Sequence, residues 1–456
     1  MRQHESRSSP SGPRGTPVIG NLREYRRDLL GFLRRCARDH GDFVPVRAFT
    51  KRGFLVFDPE LVAEVFTARH HDFRKVFILT DNRLFLGNGL LTSEGGSWRH
   101  NRRLVQPSFS PARIADYSTV MIEEAVALAA TWRAGGVRDV QRDMMRLTLS
   151  VVVRCLFGSS PDFDHDRAGR ALDVVQTRLA ERTTALVPLP DSAWTPRNLP
   201  LRRALRALDE LVVGIIRERR ASGALGDDML SVLLRVDDTG VRLDDRQVRD
   251  EVMTMFFAGH ETTALALSWS WYLLSQHPDA LARLRTELHD ELGGAPPTFE
   301  HLPRLRFAAN VVKESLRLYP PIYAFGRDAV RDTTIGGHHV PSGASVLVAP
   351  WVTHHDPRLF HDPEAFLPQR WNAEFERTMP KFAYFPFGGG ARMCLGRSFA
   401  MAEAVLVLAT LAGSFTPEYQ GDGAPALWPT FTLRARDGLP MTFRCLDRAG
   451  DEVPGP

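Results

Sequence analysis

Apolar residues along this chain recur mostly at three- and four-residue spacing, the period of helices with one buried face. Asp28 to His40 carries that period and closes at Gly41; Pro59–Ala68, Tyr117–Arg133, Val140–Phe157, Ala168–Arg182 and Leu201–Ser222 continue it. The longest run, Asp244 to Gln276, is apolar enough to be central. His277-Pro278-Asp279 restarts a helix with proline in the first turn, a buried stripe at Leu281, Leu284, Leu288 and Leu292, and a stop at Gly293-Gly294. Phe307 to Leu318 is another helix, ended by Tyr319-Pro320-Pro321. Period-two alternation is confined to short stretches. Phe43–Phe49 and Gly53–Phe57 predict a hairpin around Thr50-Lys51-Arg52-Gly53. Thr334–Val340 with Ser345–Val348 predicts a second around Pro341-Ser342-Gly343, and Leu433–Arg436 with Met441–Cys445 a third around Asp437-Gly438. The expected fold is mainly α with small β-sheets (α+β).

Two stretches lack a period. Phe73 to Leu91 mixes large apolar residues with Gly87 and Gly89 and reads as a loop-rich cover, a natural place for ligand contacts. The link bearing Pro188, Pro190, Pro196 and Pro200 suits a lid. Residues 1–17, rich in Ser, Pro, Arg and Gly, are expected to be a flexible tail, and no linker divides 18–456, which is expected to be one domain.

Composition narrows the function classes. The 58 Lys and Arg nearly balance 54 Asp and Glu, without the concentrated basic patch of a nucleic-acid binder. Four cysteines, Cys36, Cys155, Cys394 and Cys445, lie far apart with no CxxC pair, so neither a disulfide framework nor a zinc knuckle is indicated. No stretch reaches the roughly 18 continuous apolar residues of a membrane span. A cytoplasmic protein without a membrane anchor is expected.

Four constellations carry possible chemistry. Phe-Pro-Phe-Gly-Gly-Gly-Ala-Arg-Met-Cys-Leu-Gly, from Phe385 to Gly396, sets Cys394 beyond a glycine triplet and before an apolar helix. The thiolate is the metal-binding form, and a helix N-terminus favours it; the glycines and Arg392 argue against a mere buried hydrophobe. Ala258-Gly259-His260-Glu261-Thr262-Thr263 interrupts the long helix with an acid beside an alcohol. That pattern is either a proton relay or a simple kink. Glu314 and Arg317 can pair across one helical turn, a common arrangement. Trp98 and Arg102 share a helical face amid further arginines, which fits either an anion site or a solvated basic surface. The adjacent histidines His338-His339 and His354-His355 read as surface turns.

Taken together these residues resemble the cytochrome P-450 family. Phe387 to Gly396 matches its F-x-x-G-x-R-x-C-x-G signature, Ala258–Thr263 its oxygen-activation motif, and Glu314–Arg317 its E-x-x-R pair. Pro368-Gln369-Arg370-Trp371 matches the segment supplying a third member, Arg370, with Gln369 where Glu is usual. The motifs run in family order from about residue 12 to residue 445. The resemblance implies a P-450 fold with heme b (iron protoporphyrin IX) between the long central helix and the cysteine loop. It implies Cys394 as axial thiolate on the iron, and Thr262 assisted by Glu261 as proton-steering groups. Trp98, Arg102, Arg327 and Arg392 would hold the propionates, with Phe387, Gly388, Gly396 and Ala258 also against the heme. Glu314, Arg317 and Arg370 would brace the proximal side. Phe77, Leu84, Phe85, Ile322, Tyr323, Phe325 and Phe431, beside Ala258, fall in its substrate-contact regions.

The implied activity is insertion of one oxygen atom from O2 into a hydrophobic small molecule, such as a terpene or polyketide secondary metabolite. Only about 60 residues follow Cys394, so electrons are expected from a separate ferredoxin and ferredoxin reductase, docking on Arg102, Arg103, Lys381, Arg392 and Arg397, and the protein is expected to be a monomer. A peroxide-dependent hydroxylase of the same fold is a second reading, weakened by the retained Glu261-Thr262 pair. A non-catalytic heme-binding protein is a third.

Overall fold

The computed structural model describes residues 10–76, 83–158, 163–183, 198–223, 225–236 and 242–446. Its principal helices are α1 (Leu29–His40), α2 (Gly95–Val105), α3 (Pro111–Trp132), α4 (Val140–Phe157), α5 (His165–Thr183) and α6 (Leu199–Ser222), then α7 (Asp245–Gly259), α8 (Glu261–Gln276), α9 (Pro278–Leu292), α10 (Arg306–Leu318) and α11 (Arg397–Ala412). Local chemistry sets several of these ends. The carboxylates of Asp28, Asp139 and Asp244 accept the N–H groups of Gly31, Gln141 and Gln247, capping α1, α4 and α7. Gly158 and Gly293 end α4 and α9 in the left-handed region, at φ 55° and 56°.

The main core lies where α3, α4, α8 and α11 pack together. Every side chain from Ala264 to Leu274 of α8 is buried, and Trp132, Trp269, Trp271 and Phe415 are among the largest side chains fully withdrawn from solvent. A helix apolar all round belongs in such a place. Yet Asp244–Gln276 is two helices, α7 and α8, parted at His260. Side chains compete there for helical carbonyls. His260 Nδ1 bonds Phe256 O at 2.6 Å, Thr262 Oγ1 donates to Ala258 O at 3.0 Å, and Thr148 Oγ1 of α4 donates to His260 O at 2.8 Å.

The strands are β1 (Phe43–Ala48), β2 (Lys51–Val56), β3 (Phe73–Lys75), β4 (Arg138–Asp139), β5 (Phe325–Ala329), β6 (Thr333–Ile335), β7 (His338–Val340), β8 (Ser345–Val348), β9 (Phe415–Tyr419), β10 (Leu427–Pro429), β11 (Leu433–Ala435) and β12 (Pro440–Cys445). One sheet has the order β1-β2-β8-β5-β3, with only β2 and β8 parallel. The β1–β2 hairpin agrees with the alternation. The other two predicted hairpins do not form. β6 pairs with β7 through Gly336-Gly337, freeing β8 to join β2 and β5. β11 pairs with β10, and β12 with β9 and β4, so Asp437-Gly438 links two sheets. Alternation finds a strand but not its partner.

His354 and His355 also differ from expectation, being buried rather than on a surface turn. They sit beside the most deeply buried ion pair. Glu314 and Arg317 of α10 are wholly buried and meet through two hydrogen bonds, of 3.0 and 2.8 Å. Arg317 also donates to the carbonyls of His354, Pro363 and Ala365, at 2.9, 2.5 and 2.9 Å. Glu314 additionally accepts from Arg370 Nε, Trp371 Nε1 and the Leu367 N–H, at 2.9, 2.8 and 3.0 Å. The irregular chain from His354 to Trp371 is thereby fastened to α10, just ahead of the cysteine loop. Removing one partner strands the other's charge in the core, so Glu314→Ala should cost roughly 3–5 kcal/mol of stability. Urea unfolding of the variant against wild type checks this.

Candidate active site

The cysteine loop is built on aromatic packing. Gly388 and Gly390 hold φ of 69° and 65°, which side-chain-bearing residues rarely adopt. A Cβ on Gly389 would lie 2.1 Å from the Phe382 ring, and one on Gly390 only 1.8 Å from Phe66 O. These two glycines are therefore demanded by the protein packed against them, while a Cβ on Gly396 would meet nothing nearer than Phe109 at 3.7 Å. The Phe387 carbonyl accepts the Cys394 N–H at 3.0 Å, which sets the cysteine at the end of the loop, just before α11.

Cys394 is exposed, yet burial is the main influence on its thiol and raises its pKa. Both hold for a thiol that lines an internal hollow, surrounded by protein but with its own surface open. The Gly396 N–H and the charges of Arg102 and Arg397 act the other way, favouring thiolate. The same signature recurs at the α7–α8 break. Ala258 is exposed and Gly259 and Thr262 half-buried, whereas Phe256, Phe257, His260, Glu261 and Thr263 are buried. Gly259 packs closely on α4, where an added Cβ would lie 3.0 Å from a Val152 methyl and press on it.

Beside the loop lies a cationic cluster. The Arg102 and Arg392 guanidiniums sit 5.8 and 5.0 Å from the Trp98 ring centre, and Arg102 donates to Met393 O at 3.1 Å. Arg392 pairs through both terminal nitrogens with Glu94, one contact at 2.7 Å. Arg327 is buried over the Phe66 ring and donates to Gly326 O. Burial, then the nearby Arg392, lowers its pKa to about 10. No sequence pattern singles out Lys75 on β3. Its buried ammonium donates to the carbonyls of Leu90 and Ser93, both at 2.7 Å, and burial lowers it to about 7. Arg327, Arg392 and Lys75 thus gather near Glu94, with Arg102 joined to them at the Trp98 ring it shares with Arg392, an arrangement suited to a further anion.

Glu261 faces away from this region. Its buried carboxylate accepts from Gln176 of α5, Thr432 and Arg434, at 2.5, 2.7 and 2.5 Å, and Arg434 also meets the exposed Asp173 at 3.3 Å. Glu261 and Thr262, neighbours in sequence, have separate hydrogen-bond partners. Among the apolar candidates, Phe85 and Phe431 flank Phe257, which sequence reasoning missed, at ring distances of 5.3 and 5.2 Å. Phe325 packs on Phe66 and Phe385, and the Tyr323 hydroxyl donates to Thr430 O at 2.6 Å. Ile322 is half-buried. Phe77 and the Leu84 side chain lie outside the described residues. Among the described residues no three His, Cys, Asp or Glu side chains gather as a metal site, and no helix is long and apolar enough to cross a membrane.

The family described as cytochrome P-450 matches residues 10–435. The chain is 38% identical to cyclooctatin synthase and 37% identical to cyclooctat-9-en-7-ol 5-monooxygenase, both of Streptomyces melanosporofaciens, each match covering 88% of both sequences. It is 34% identical to pentalenene oxygenase of Streptomyces avermitilis, over 95% of this chain and 97% of that one. The family implies a heme with a cysteine thiolate ligand, and the residues fit one. An open thiol at the glycine loop, the part-exposed Ala258, Gly259 and Thr262, and the gathered cations suit a flat, iron-bearing group that carries two carboxylates.

Among the buried rings, His260 and His354 contribute a pH dependence to the fold, as does His355, which burial holds well below its ordinary value. Burial lowers His260 to about 4 and His354 to about 3, the latter helped by Arg317. Both stay neutral when folded and take up a proton on unfolding below about pH 6.5. Their contribution is complete above that pH and is lost as pH falls toward the folded values, by up to about 1.4 kcal/mol per pH unit for each ring. The stability difference between wild type and His260→Gln, read from urea midpoints, should therefore shrink as pH falls from 7 to 5, independently of the buried carboxyls Glu251 and Glu403, whose raised pKa acts in the opposite direction.

Proposed function

The chain belongs to the cytochrome P-450 family and is a monooxygenase, and on that premise we propose that it oxygenates an apolar, ring-containing terpene or a related secondary metabolite. The observation that carries the reading is the open Cys394 thiol at the glycine loop, with the uncovered Ala258–Thr262 stripe as its distal counterpart. The substrate class rests on the relatives, whose names carry an alkenol and an alkene, and on the apolar rings of Phe85, Phe257 and Phe431.

Bound here, heme supplies activation of dioxygen and transfer of one oxygen atom to the substrate. The chain's own residues divide the remaining work. Cys394 would supply the thiolate that holds the heme iron, its N–H fixed on Phe387 O and its thiolate favoured by the Gly396 N–H. Arg102, Arg327 and Arg392, with Trp98, would hold the propionates, and Lys75 would add positive charge nearby. Glu94 keeps Arg392 oriented. Thr262 is half-buried at the helix break; its single hydroxyl hydrogen goes to Ala258 O, which leaves Oγ1 to accept a hydrogen bond and so hold a proton donor at the open stripe. Glu261 holds Arg434, which in turn meets the exposed Asp173, so the carboxylate is joined to the surface by an ion-pair network. The aromatic wall excludes water and orients an apolar substrate.

Electrons come from a separate donor of ferredoxin type. Of the expected basic residues, Arg102 and Arg392 are engaged inside, whereas Arg103, Lys381 and Arg397 are exposed and offer the docking charge. The Glu261-Thr262 pair favours this over a peroxide-driven reaction.

The reduced, carbon-monoxide-bound protein should show a thiolate-type Soret band that Cys394→Ser abolishes; a wild type without it refutes the ligand assignment. Cyclic terpenes should shift the resting Soret band, and a response to charged compounds alone would overturn the substrate class. Thr262→Ala should lower product formed per electron consumed by roughly tenfold or more, with substrate affinity unchanged; full coupling would exclude its proton role.

A further inference from the structure

We infer that His354 is a positioning residue for the axial cysteine: its unprotonated Nε2 accepts the Phe385 N–H and so ties the start of the cysteine loop to the Glu314–Arg317 network. The inference rests on the reading of Cys394 as heme ligand. The bond is 3.0 Å long and buried, with His354 wholly withdrawn from solvent and Phe385 3% exposed. A buried N–H without this acceptor would have no water to replace it.

Hydrogen bonds run from that imidazole toward the thiol. The Phe385 carbonyl accepts the Gly388 N–H at 3.0 Å, and the Phe387 carbonyl accepts the Cys394 N–H at 3.0 Å. The Gly396 N–H lies near enough to the sulfur to favour its thiolate. On the other side, Arg317 grips the backbone carbonyl of the same histidine at 2.9 Å. One residue therefore receives the buried guanidinium through its main chain and holds the ligand loop through its side chain. The rings of Tyr384 and Phe385, at 5.1 and 5.3 Å, keep the imidazole plane fixed.

The chemistry calls for a neutral ring. With Nε2 accepting, the proton sits on Nδ1. Nδ1 has no partner of full hydrogen-bond geometry among the described residues, although the backbones of Arg317 and Leu316 lie near enough to favour a proton on the ring. An imidazolium would lose the Phe385 bond and face the Arg317 charge. Burial keeps the ring neutral throughout the range in which an ordinary histidine titrates. Glutamine can carry an acceptor as far out as Nε2. Asparagine reaches only as far as Nδ1, and leucine carries no acceptor.

The heme-loaded wild type, H354Q, H354N and H354L are compared by reduced carbon-monoxide spectrum, reduction potential and far-UV circular dichroism. H354L and H354N should keep their helical signal while about half or more of the thiolate-type band moves to the thiol-type position. H354Q should stay near wild type. A wild-type spectrum and potential in H354L overturns the inference, as does equal damage in H354Q and H354L. A wild type that itself lacks the thiolate band refutes the reading of Cys394 instead. Should H354L fail to fold, hydrogen exchange on the wild type still decides. The Phe385 amide should be among the slowest between Lys381 and Gly396, and exchange at an exposed-loop rate overturns the inference.

Discussion

A guanidinium with no path to water shapes the proximal half of this protein. Arg317 is fully buried, and its donors must be met by Glu314 and by three backbone carbonyls from a segment with little regular structure of its own. Such a segment would not hold one path on apolar contacts alone. Fastened by charge-assisted bonds, it delivers the chain to Phe382 and Phe385 in a single arrangement, and the glycine loop then packs onto the Phe66 cluster. The position of Cys394 is inherited from that sequence of constraints.

The distal half follows a different rule. Its key irregularity is made by side chains of α7, α8 and α4 that take over helical carbonyls, so the break at His260 is written into ordinary polar residues rather than a proline. The acid beside Thr262 is withdrawn into a network reaching α5 and β11. The hydroxyl and the carboxylate therefore have separate hydrogen-bond partners, Ala258 O for the one and Gln176, Thr432 and Arg434 for the other.

Much of this was legible before any coordinates. Helices with strong period, the glycine-bounded Cys394 and the Glu314–Arg317 turn are local patterns, and local patterns survive in a linear reading. Strand partners were not legible, because Gly336-Gly337 diverted β8 to another sheet. Nor were Glu94, Lys75, Arg434 and Phe257. Glu94 meets Arg392 across 298 positions, and Arg434 meets Glu261 across 173. Nothing beside a lone lysine in Phe-Arg-Lys announces that its ammonium will be buried among arginines. His354 and His355 looked like polar surface residues, and only the fold reveals them as interior ones.

The aromatic wall bears on how such a protein changes its substrate. Phe85, Phe257 and Phe431 come from three distant segments, and the middle ring leans on both others. Shrinking Phe257 removes a support from its neighbours as well as volume from the wall, so the effects of replacements at the three sites are not independent. Evolution toward a new substrate on this scaffold would then depend on the order in which the rings change, some orders passing through intermediates with a collapsed wall and others not.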